Sequence, residues 1–153
     1  MLSLSRRLRQ RQILNIMAVR TKSSASTASE AITTVRVVAE ALGGVVPGAG
    51  YLTGTGGEKL PEGLDPLSII VERSVPAAAM ADALLAWEMN GVPISLAHGG
   101  PLRLIVPGYT GVNNIKYIKR LAFTAKETDA KIMSHGYRIS PPGGKGDPSQ
   151  PSV

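Results

Sequence analysis

The residues best suited to binding chemistry lie in two short segments in the second half of this 153-residue chain. His98 and Arg103 are five residues apart in AHGGPLR, and a second polar cluster, Asn113 to Lys116, follows one strand later, beyond the loop PGYTG. Taken singly, a histidine beside glycines and an arginine on a strand are ordinary loop and surface residues. Together, imidazole, guanidinium and ammonium donors could converge on one anion, because guanidinium and ammonium groups bind phosphate oxygens well. The spacing therefore predicts a site for a phosphate-bearing cofactor.

Other kinds of site find no support in the sequence. GTGGE at residues 54–58 fits neither the GxGxxG nor the GxxxxGK[ST] spacing of nucleotide-binding loops, so we interpret it as a turn. A serine hydrolase of the common type would need an elbow such as G-x-S-x-G, which the chain lacks. The chain contains no cysteine, so these residues form no disulfide and supply no thiolate to a metal.

The elements that must position the two segments are predicted from apolar spacing and turn-forming residues. Apolar residues from Ile32 to Leu42 follow a helical period, and Gly43 with Gly44 ends that helix. GAGYLTGTGGEKLPEG predicts a brief strand and a glycine-rich loop. SIIVERSVP predicts a buried strand ended by Pro76.

Further along, AAAMADALLAWEMNG reads as a helical half and a strand-like half, closed by a turn at Asn90 and Gly91. RLIVPG and IKYIKRLAFTA each predict a strand. The fold class that follows is α+β (mixed α/β), mostly strands with short helices and long loops.

Charge and composition divide the chain into three predicted parts. Residues 1–29 hold six of the seventeen basic residues and no acidic one, whereas the remaining chain is neutral, with eleven of each sign. This N-terminal composition is typical of an organelle transit peptide, a twin-arginine export signal is a second interpretation, and a segment without any address is a third. We expect the domain to occupy residues 30–142 and a Pro/Gly-rich tail to occupy residues 143–153.

Several short motifs agree in order and spacing with one known family. LLAWEMNGVPISLAHGGPLRLIVPGYTGVNNIKYIKRLAFT contains an EMNG turn, an HG-x-P-x-R segment, a VPG loop and an x-[VI]-K-[WY] strand, one after another. This arrangement resembles the molybdopterin domain of the sulfite oxidase family. The likeness covers roughly residues 47–142 and implies a partial sulfite-oxidase-like molybdopterin-binding fold.

The resemblance also implies roles for individual residues. His98 and Arg103 occupy positions that bind the molybdopterin phosphate or pterin, and Asn114, Ile115 and Lys116 occupy a second cofactor-contacting segment. SHGYRISP resembles the segment that carries the family's active-site tyrosine, which makes Tyr137 the candidate catalytic residue, with an O–H that could hydrogen-bond a developing oxyanion. The implied cofactor is molybdopterin with its molybdenum, contacted only in part by this chain, which offers no metal ligand.

The function implied is oxygen-atom transfer to sulfite or a similar small oxyanion, with electrons passed to a haem or cytochrome. The family's molybdenum-ligating cysteine has no counterpart here, so whether this chain is itself an enzyme stays open. One hypothesis is a fragment or split subunit that needs a cysteine-bearing partner polypeptide. The alternative is an inactive remnant that binds molybdopterin or a partner chain.

A third hypothesis, nucleic-acid binding through the basic N-terminal segment, is disfavoured because the body is neutral and base-stacking aromatic residues are scarce. No apolar run approaches the roughly 20 residues of a membrane span, so neither nucleic acid nor membrane is an expected partner. A periplasmic location follows from the resemblance and a mitochondrial one from the N-terminal composition.

Overall fold

The computed structural model describes residues 12–14, 32–134 and 136–138, with side chains from residue 32 onward. Most of the predicted N-terminal segment and the whole predicted tail lie outside the described residues. The strands are β1 (Gln12–Leu14), β2 (Ile32–Thr34), β3 (Tyr51–Gly56), β4 (Glu72–Pro76), β5 (Leu84–Ala86), β6 (Glu88–Met89), β7 (Val92–Pro93), β8 (Arg103–Ile105) and β9 (Ile118–Thr124). The α-helices are α1 (Val35–Ala41), α2 (Pro66–Ile69) and α3 (Lys131–Ser134), and 3-10 helices span Ala77–Ala81, Leu96–His98 and Gly111–Asn113.

Antiparallel pairing organises these strands into three sheets. The largest has the order β1-β9-β3-β4, a second has the order β2-β5-β8, and β6 pairs with β7. Strand β1 lies inside the segment 1–29 that composition sets apart, and the domain boundaries given above stay a prediction. The predicted fold class, mostly strands with short helices, is confirmed. Within the described residues, no helix is long and apolar enough to cross a bilayer.

The four-stranded sheet has one apolar face and one polar face, because side chains alternate along each strand. Leu52 of β3 stands opposite Val75 of β4 and Phe123 of β9, and all three belong to the buried core. The next position, Thr53, stands opposite Ser74 and faces the other way. Burying the apolar face contributes roughly 25 cal/mol per Å² of area removed from water. The same core contains Leu104 of β8 and Ile115, which directly adjoin Arg103 and Lys116 in the chain.

The first predicted helix begins three residues later than its spacing suggested. Ile32 pairs with Ala86 in the second sheet, so it belongs to β2 and not to the helix. Thr34 is the N-cap of α1, and its hydroxyl accepts from the backbone N–H of Val37 at 3.3 Å. The predicted stop is confirmed, because α1 ends at Ala41, just before the two glycines.

Two strand predictions were wrong at their N-terminal ends. In SIIVERSVP, Ser68 lies in α2, whose N-cap Asp65 accepts from Leu67 N at 3.1 Å, and the strand begins at Glu72. In IKYIKRLAFTA, the strand begins at Ile118, because Tyr117 has a positive φ of 45° that ends the extended conformation before it.

The turn prediction at Asn90 and Gly91 is confirmed. Both residues have positive φ, 55° and 77°, which is the two-residue hairpin geometry that Asn-Gly favours. They join β6 to β7, and the chain then enters the 3-10 helix that carries His98. Upstream, the helical half of AAAMADALLAWEMNG is a 3-10 helix and not an α-helix.

Candidate functional site

The loop Ser95–Gly99 is shaped by backbone hydrogen bonds and by glycine. Ser95 O accepts from His98 N and from Gly100 N, both at 3.0 Å, which curls the chain into one tight turn. Gly99 has a φ of 98°, and a Cβ there would lie 2.7 Å from Cγ of Lys116. Glycine is therefore required, both for the left-handed backbone and for the close approach of Lys116.

Three of the predicted binding residues meet on this loop, and we call His98, Arg103 and Lys116 the donor cluster. Arg103 Nη1 donates to His98 O at 2.9 Å, and Lys116 Nζ donates to Ala97 O at 2.7 Å. His98 Nδ1 lies 3.0 Å from the Ser95 hydroxyl. The side chains of His98 and Lys116 are exposed and Arg103 is half-buried. Both formal cations are thus held by neutral carbonyl groups and keep their charge available to an anion.

Arg103 retains donor capacity that the described protein does not use. A guanidinium carries five N–H donors, and its Nε is buried without a hydrogen-bond partner among the described residues. Leaving a buried donor unpaired costs about 1–3 kcal/mol. An anion bound by this guanidinium would offset that cost. The donor chemistry of the cluster therefore fits the phosphate of a cofactor.

Asn114 and Ile115 hold the segment 113–116, which ends in Lys116, against β8. Asn114 Oδ1 accepts from Val106 N at 2.8 Å, and Ile115 O accepts from Leu104 N at 2.9 Å. The side chain of Ile115 lies in the hydrophobic core. These contacts place Lys116 beside the loop. Asn114 and Ile115 therefore have a structural role that is independent of any contact with a cofactor.

Tyr137 follows α3, and its main chain is held by Arg73 of β4. Its side chain is 68% exposed, and its backbone has a positive φ of 56°. Its carbonyl oxygen accepts from Arg73 Nη2 at 3.3 Å. The tyrosine O–H is therefore open to a ligand, while the main chain is anchored. Its role as a catalytic residue stays a prediction.

Arg73 is the residue that sequence reasoning missed. It is 3% exposed on β4, shares the apolar face with Val75, and donates to Asn113 Oδ1 at 3.0 Å and to Ile132 O at 2.6 Å. Burial lowers the pKa of Arg73, nearby Arg138 lowers it further, and the Glu127 carboxylate acts in the opposite direction. The available signal in the sequence was a charge at a position that alternates with Val75, and this signal does not reveal the acceptors of Arg73.

Glu72 and Ser74, the neighbours of Arg73 on β4, lie on the opposite face of the sheet and bind the chain that follows β9. Glu72 accepts a hydrogen bond from the Thr128 hydroxyl, and Ser74 Oγ accepts from Thr128 N at 3.0 Å. We call Glu72, Arg73 and Ser74 the β4 clamp, and residues 128–134 and 136–138 the C-terminal segment. Three consecutive side chains therefore grip the C-terminal segment around the edge of the sheet.

Residues that could coordinate a metal differ from those that could bind a phosphate. Within residues 32–134 and 136–138, no group of three or more His, Asp or Glu side chains is arranged to hold a metal ion. The whole chain has no cysteine. The residues present thus fit the phosphate end of a molybdenum cofactor and supply no thiolate to its metal.

The chain matches the sequence profile of a known family. The profile of the family described as oxidoreductase molybdopterin binding domain matches residues 11–132. The match contains every element from β1 to β9, the donor cluster and most of the β4 clamp's contacts, but not Tyr137.

Individual relatives agree with this match. The chain is 36% identical over 115 residues to "Sulfite oxidase, mitochondrial" of Homo sapiens, covering 71% of this chain and 21% of that protein. It is 34% identical over 95 residues to "Inducible nitrate reductase [NADH] 1" of Glycine max, covering 61% of this chain and 11% of that protein. Among solved structures, the sulfane dehydrogenase SoxCD from Paracoccus pantotrophus superposes with a TM-score of 0.57 at 28% identity, over 72% of this chain and 26% of that one.

Proposed function

We propose that this chain, which belongs to the oxidoreductase molybdopterin binding domain family, binds the phosphate end of the molybdenum cofactor through His98, Arg103 and Lys116. The observation that carries the proposal is the buried Nε of Arg103, which has no hydrogen-bond partner among the described residues and lies within a cluster of phosphate-compatible donors. Guanidinium and ammonium donors bind phosphate through short, charge-assisted hydrogen bonds. Asn114 and Ile115 support the cluster by holding Lys116 in place.

The reaction we propose is oxidation of sulfite or a similar small oxyanion. The cofactor supplies the oxygen-atom transfer and redox chemistry when it is bound. This chain contributes the anchor for the phosphate and the exposed Tyr137 O–H as a hydrogen-bond donor to an oxyanion. Its relatives are named for sulfite oxidation, nitrate reduction and sulfane dehydrogenation, so the class of substrate follows the family and sulfite is our first choice.

Catalysis requires a thiolate from outside these 153 residues, because none of them is cysteine. The chain spans between 11% and 26% of the relatives and the structure compared above. We propose that a cysteine-bearing polypeptide completes the site and that a cytochrome accepts the electrons. A mitochondrial or periplasmic location belongs to the same proposal.

Binding of the cofactor is tested with molybdopterin released from a purified molybdoenzyme and titrated anaerobically into the full chain. We expect His98→Ala, Arg103→Ala and Lys116→Ala each to weaken binding by about 10- to 150-fold, since a hydrogen bond to a charged group contributes about 1.5–3 kcal/mol. Arg36→Ala, on the exposed face of α1, is the control and should bind like the wild type. Unchanged affinity in all three variants would refute the site.

Turnover is tested by coexpression with the cysteine-bearing half of a sulfite oxidase. We expect stoichiometric molybdenum by elemental analysis and sulfite-dependent reduction of cytochrome c. The absence of cysteine supports a second candidate, an inactive protein that binds molybdopterin without turnover. Metal loading without cytochrome reduction would favour that second candidate, and a preparation free of molybdenum would exclude the first.

A further inference from the structure

Arg73 joins two parts of the chain that the proposed function uses separately. Its Nε donates to Asn113 Oδ1 at 3.0 Å, and Asn113 directly precedes the segment that carries Lys116. Its Nη1 donates to Ile132 O at 2.6 Å and to Gly136 O at 3.2 Å, and its Nη2 donates to Tyr137 O at 3.3 Å. One rigid, planar group therefore connects Asn113, near Lys116, with the main chain of Tyr137.

Both ends of this bridge are themselves fixed. Asn113 is buried, and its Nδ2 donates to Thr110 Oγ1 at 2.9 Å, which orients Oδ1 toward Arg73. At the other end, Tyr137 keeps a positive φ, a conformation that a residue with a side chain adopts only when its surroundings impose it. Arg73 supplies that restraint by holding the carbonyl groups of Gly136 and Tyr137.

Burying the Arg73 guanidinium costs more electrostatic free energy than a purely structural role would require. Burying a guanidinium carries a desolvation penalty of several kcal/mol, and an apolar residue of similar volume often serves a core equally well or better. The nearby Glu127 carboxylate forms its ion pair with Arg138 at 3.2 Å. Arg73 is instead satisfied by an amide and by carbonyl dipoles. A guanidinium is the side chain that reaches such acceptors on two segments at once.

We propose that Arg73 is a positioning residue, which sets the location of Tyr137 relative to the donor cluster through Asn113 on one side and the C-terminal segment on the other. This proposal rests on the proposed function, because it links the donor cluster that binds the phosphate to Tyr137, the residue proposed to contact the substrate. Arg73 touches neither ligand itself and acts through the residues that it holds.

Hydrogen exchange of the full chain, read by mass spectrometry, tests the positioning without any ligand. Arg73→Lys keeps the charge and the approximate length but loses the planar fork, and Arg73→Met keeps the volume without donors. In both we expect amides of residues 132–138 to exchange at least about 10-fold faster, the factor that corresponds to losing about 1.4 kcal/mol of local stability. Amides of β3 and β9 should stay within twofold in Arg73→Lys, and Arg36→Met is the control.

A second measurement adds molybdopterin released from a molybdoenzyme and distinguishes positioning from simple stabilisation. In the wild type, the ligand should slow exchange in residues 95–104 and also in residues 132–138, because Arg73 couples the two. In Arg73→Lys it should slow exchange in residues 95–104 only. Slowing in both regions of the variant would overturn the coupling.

The remaining outcomes separate the two proposals. Wild-type exchange rates at residues 132–138 in both ligand-free variants would overturn the role of Arg73, whatever the ligand does. Loss of protection throughout β3 and β9 in Arg73→Lys would assign the residue to the stability of the whole core and would also overturn it. If the wild type shows no ligand protection in residues 95–104, the phosphate site fails, and the ligand-free comparison still decides whether Arg73 positions Tyr137.

Discussion

In both the Ser95–Gly99 loop and the C-terminal segment, cationic side chains donate hydrogen bonds to backbone carbonyl groups. The two regions differ in how far those side chains are exposed to solvent. In the loop, Lys116 and Arg103 donate to the carbonyl groups of Ala97 and His98, and Lys116 is exposed. In the C-terminal segment, the carbonyl groups are held by Arg73, which is 3% exposed. A cation left at the surface stays available to an anion, whereas a buried one is committed to the fold.

The largest effect should follow from a change at the buried Gly100, which directly follows the Ser95–Gly99 loop. A Cβ on Gly100 would overlap the carbonyl oxygen of Ile94, and neither backbone atom can move without opening the loop. We expect Gly100→Ala to lower the free energy of unfolding by about 3 kcal/mol and to abolish molybdopterin binding. Urea denaturation measures the first effect and ligand titration the second.

Gly111→Ala is the matched control for that change. A Cβ there meets nothing within 4 Å, and its backbone does not have a positive φ. It should leave both the unfolding midpoint and the affinity unchanged. Equal losses in the two glycine variants would mean that the loop is not the steric constraint we describe.

The two arginines should separate stability from binding. Arg73→Met leaves an amide and three carbonyl groups without their donor, so we expect a loss of about 2–3 kcal/mol by urea denaturation. Arg103→Met should cost less than about 1 kcal/mol, because the loop carbonyl that it releases is exposed to water. Affinity for molybdopterin should fall further in Arg103→Met. The reverse order in stability would contradict the contrast between a committed and an available cation.

A smaller difference is expected between two serines. Ser74 is fully buried, lies 2.7 Å from the Thr53 hydroxyl and accepts from Thr128 N, so Ser74→Ala should cost about 1–2 kcal/mol. Ser95 is exposed and contacts only the imidazole of His98 through its hydroxyl among the described residues, so Ser95→Ala should cost less than about 0.5 kcal/mol. Thermal unfolding of the two variants side by side makes the comparison, and equal shifts would speak against a clamp on β4.

Local sequence patterns predict those parts of the fold that depend on a few adjacent residues. The Asn90–Gly91 turn and the stop of α1 depend on a few adjacent residues, and the sequence predicts both correctly. Ile32 was assigned to the wrong element because its environment depends on Ala86, which pairs with it across the second sheet. Tyr117 likewise delays the start of β9, because its N–H donates to Gly99 O at 2.9 Å, a contact that periodicity does not encode.

The candidate site likewise has residues that could be predicted from the sequence and residues that could not. The grouping of His98, Arg103 and Lys116 could be predicted from residue types, because donors of complementary chemistry recur in two segments flanking one strand. The importance of Arg73 could not, because its acceptors lie 40 to 64 residues away and most of them are backbone carbonyl groups, which have no signature in the sequence. Tyr137 was identified by family resemblance, and its anchoring to β4 appears only in three dimensions.

The Nε–H of Arg103, which has no acceptor within the part of the chain that the structure describes, offers the most direct measurement of the central claim. Because this group is shielded from solvent, its proton should exchange slowly enough for a side-chain ¹H–¹⁵N correlation spectrum. On titration with molybdopterin, we predict a downfield shift of the Arg103 Nε–H proton that saturates with the binding isotherm, while the corresponding signal of Arg36 does not move. A molybdopterin titration that saturates without changing the Arg103 signal would contradict a phosphate site built on this guanidinium.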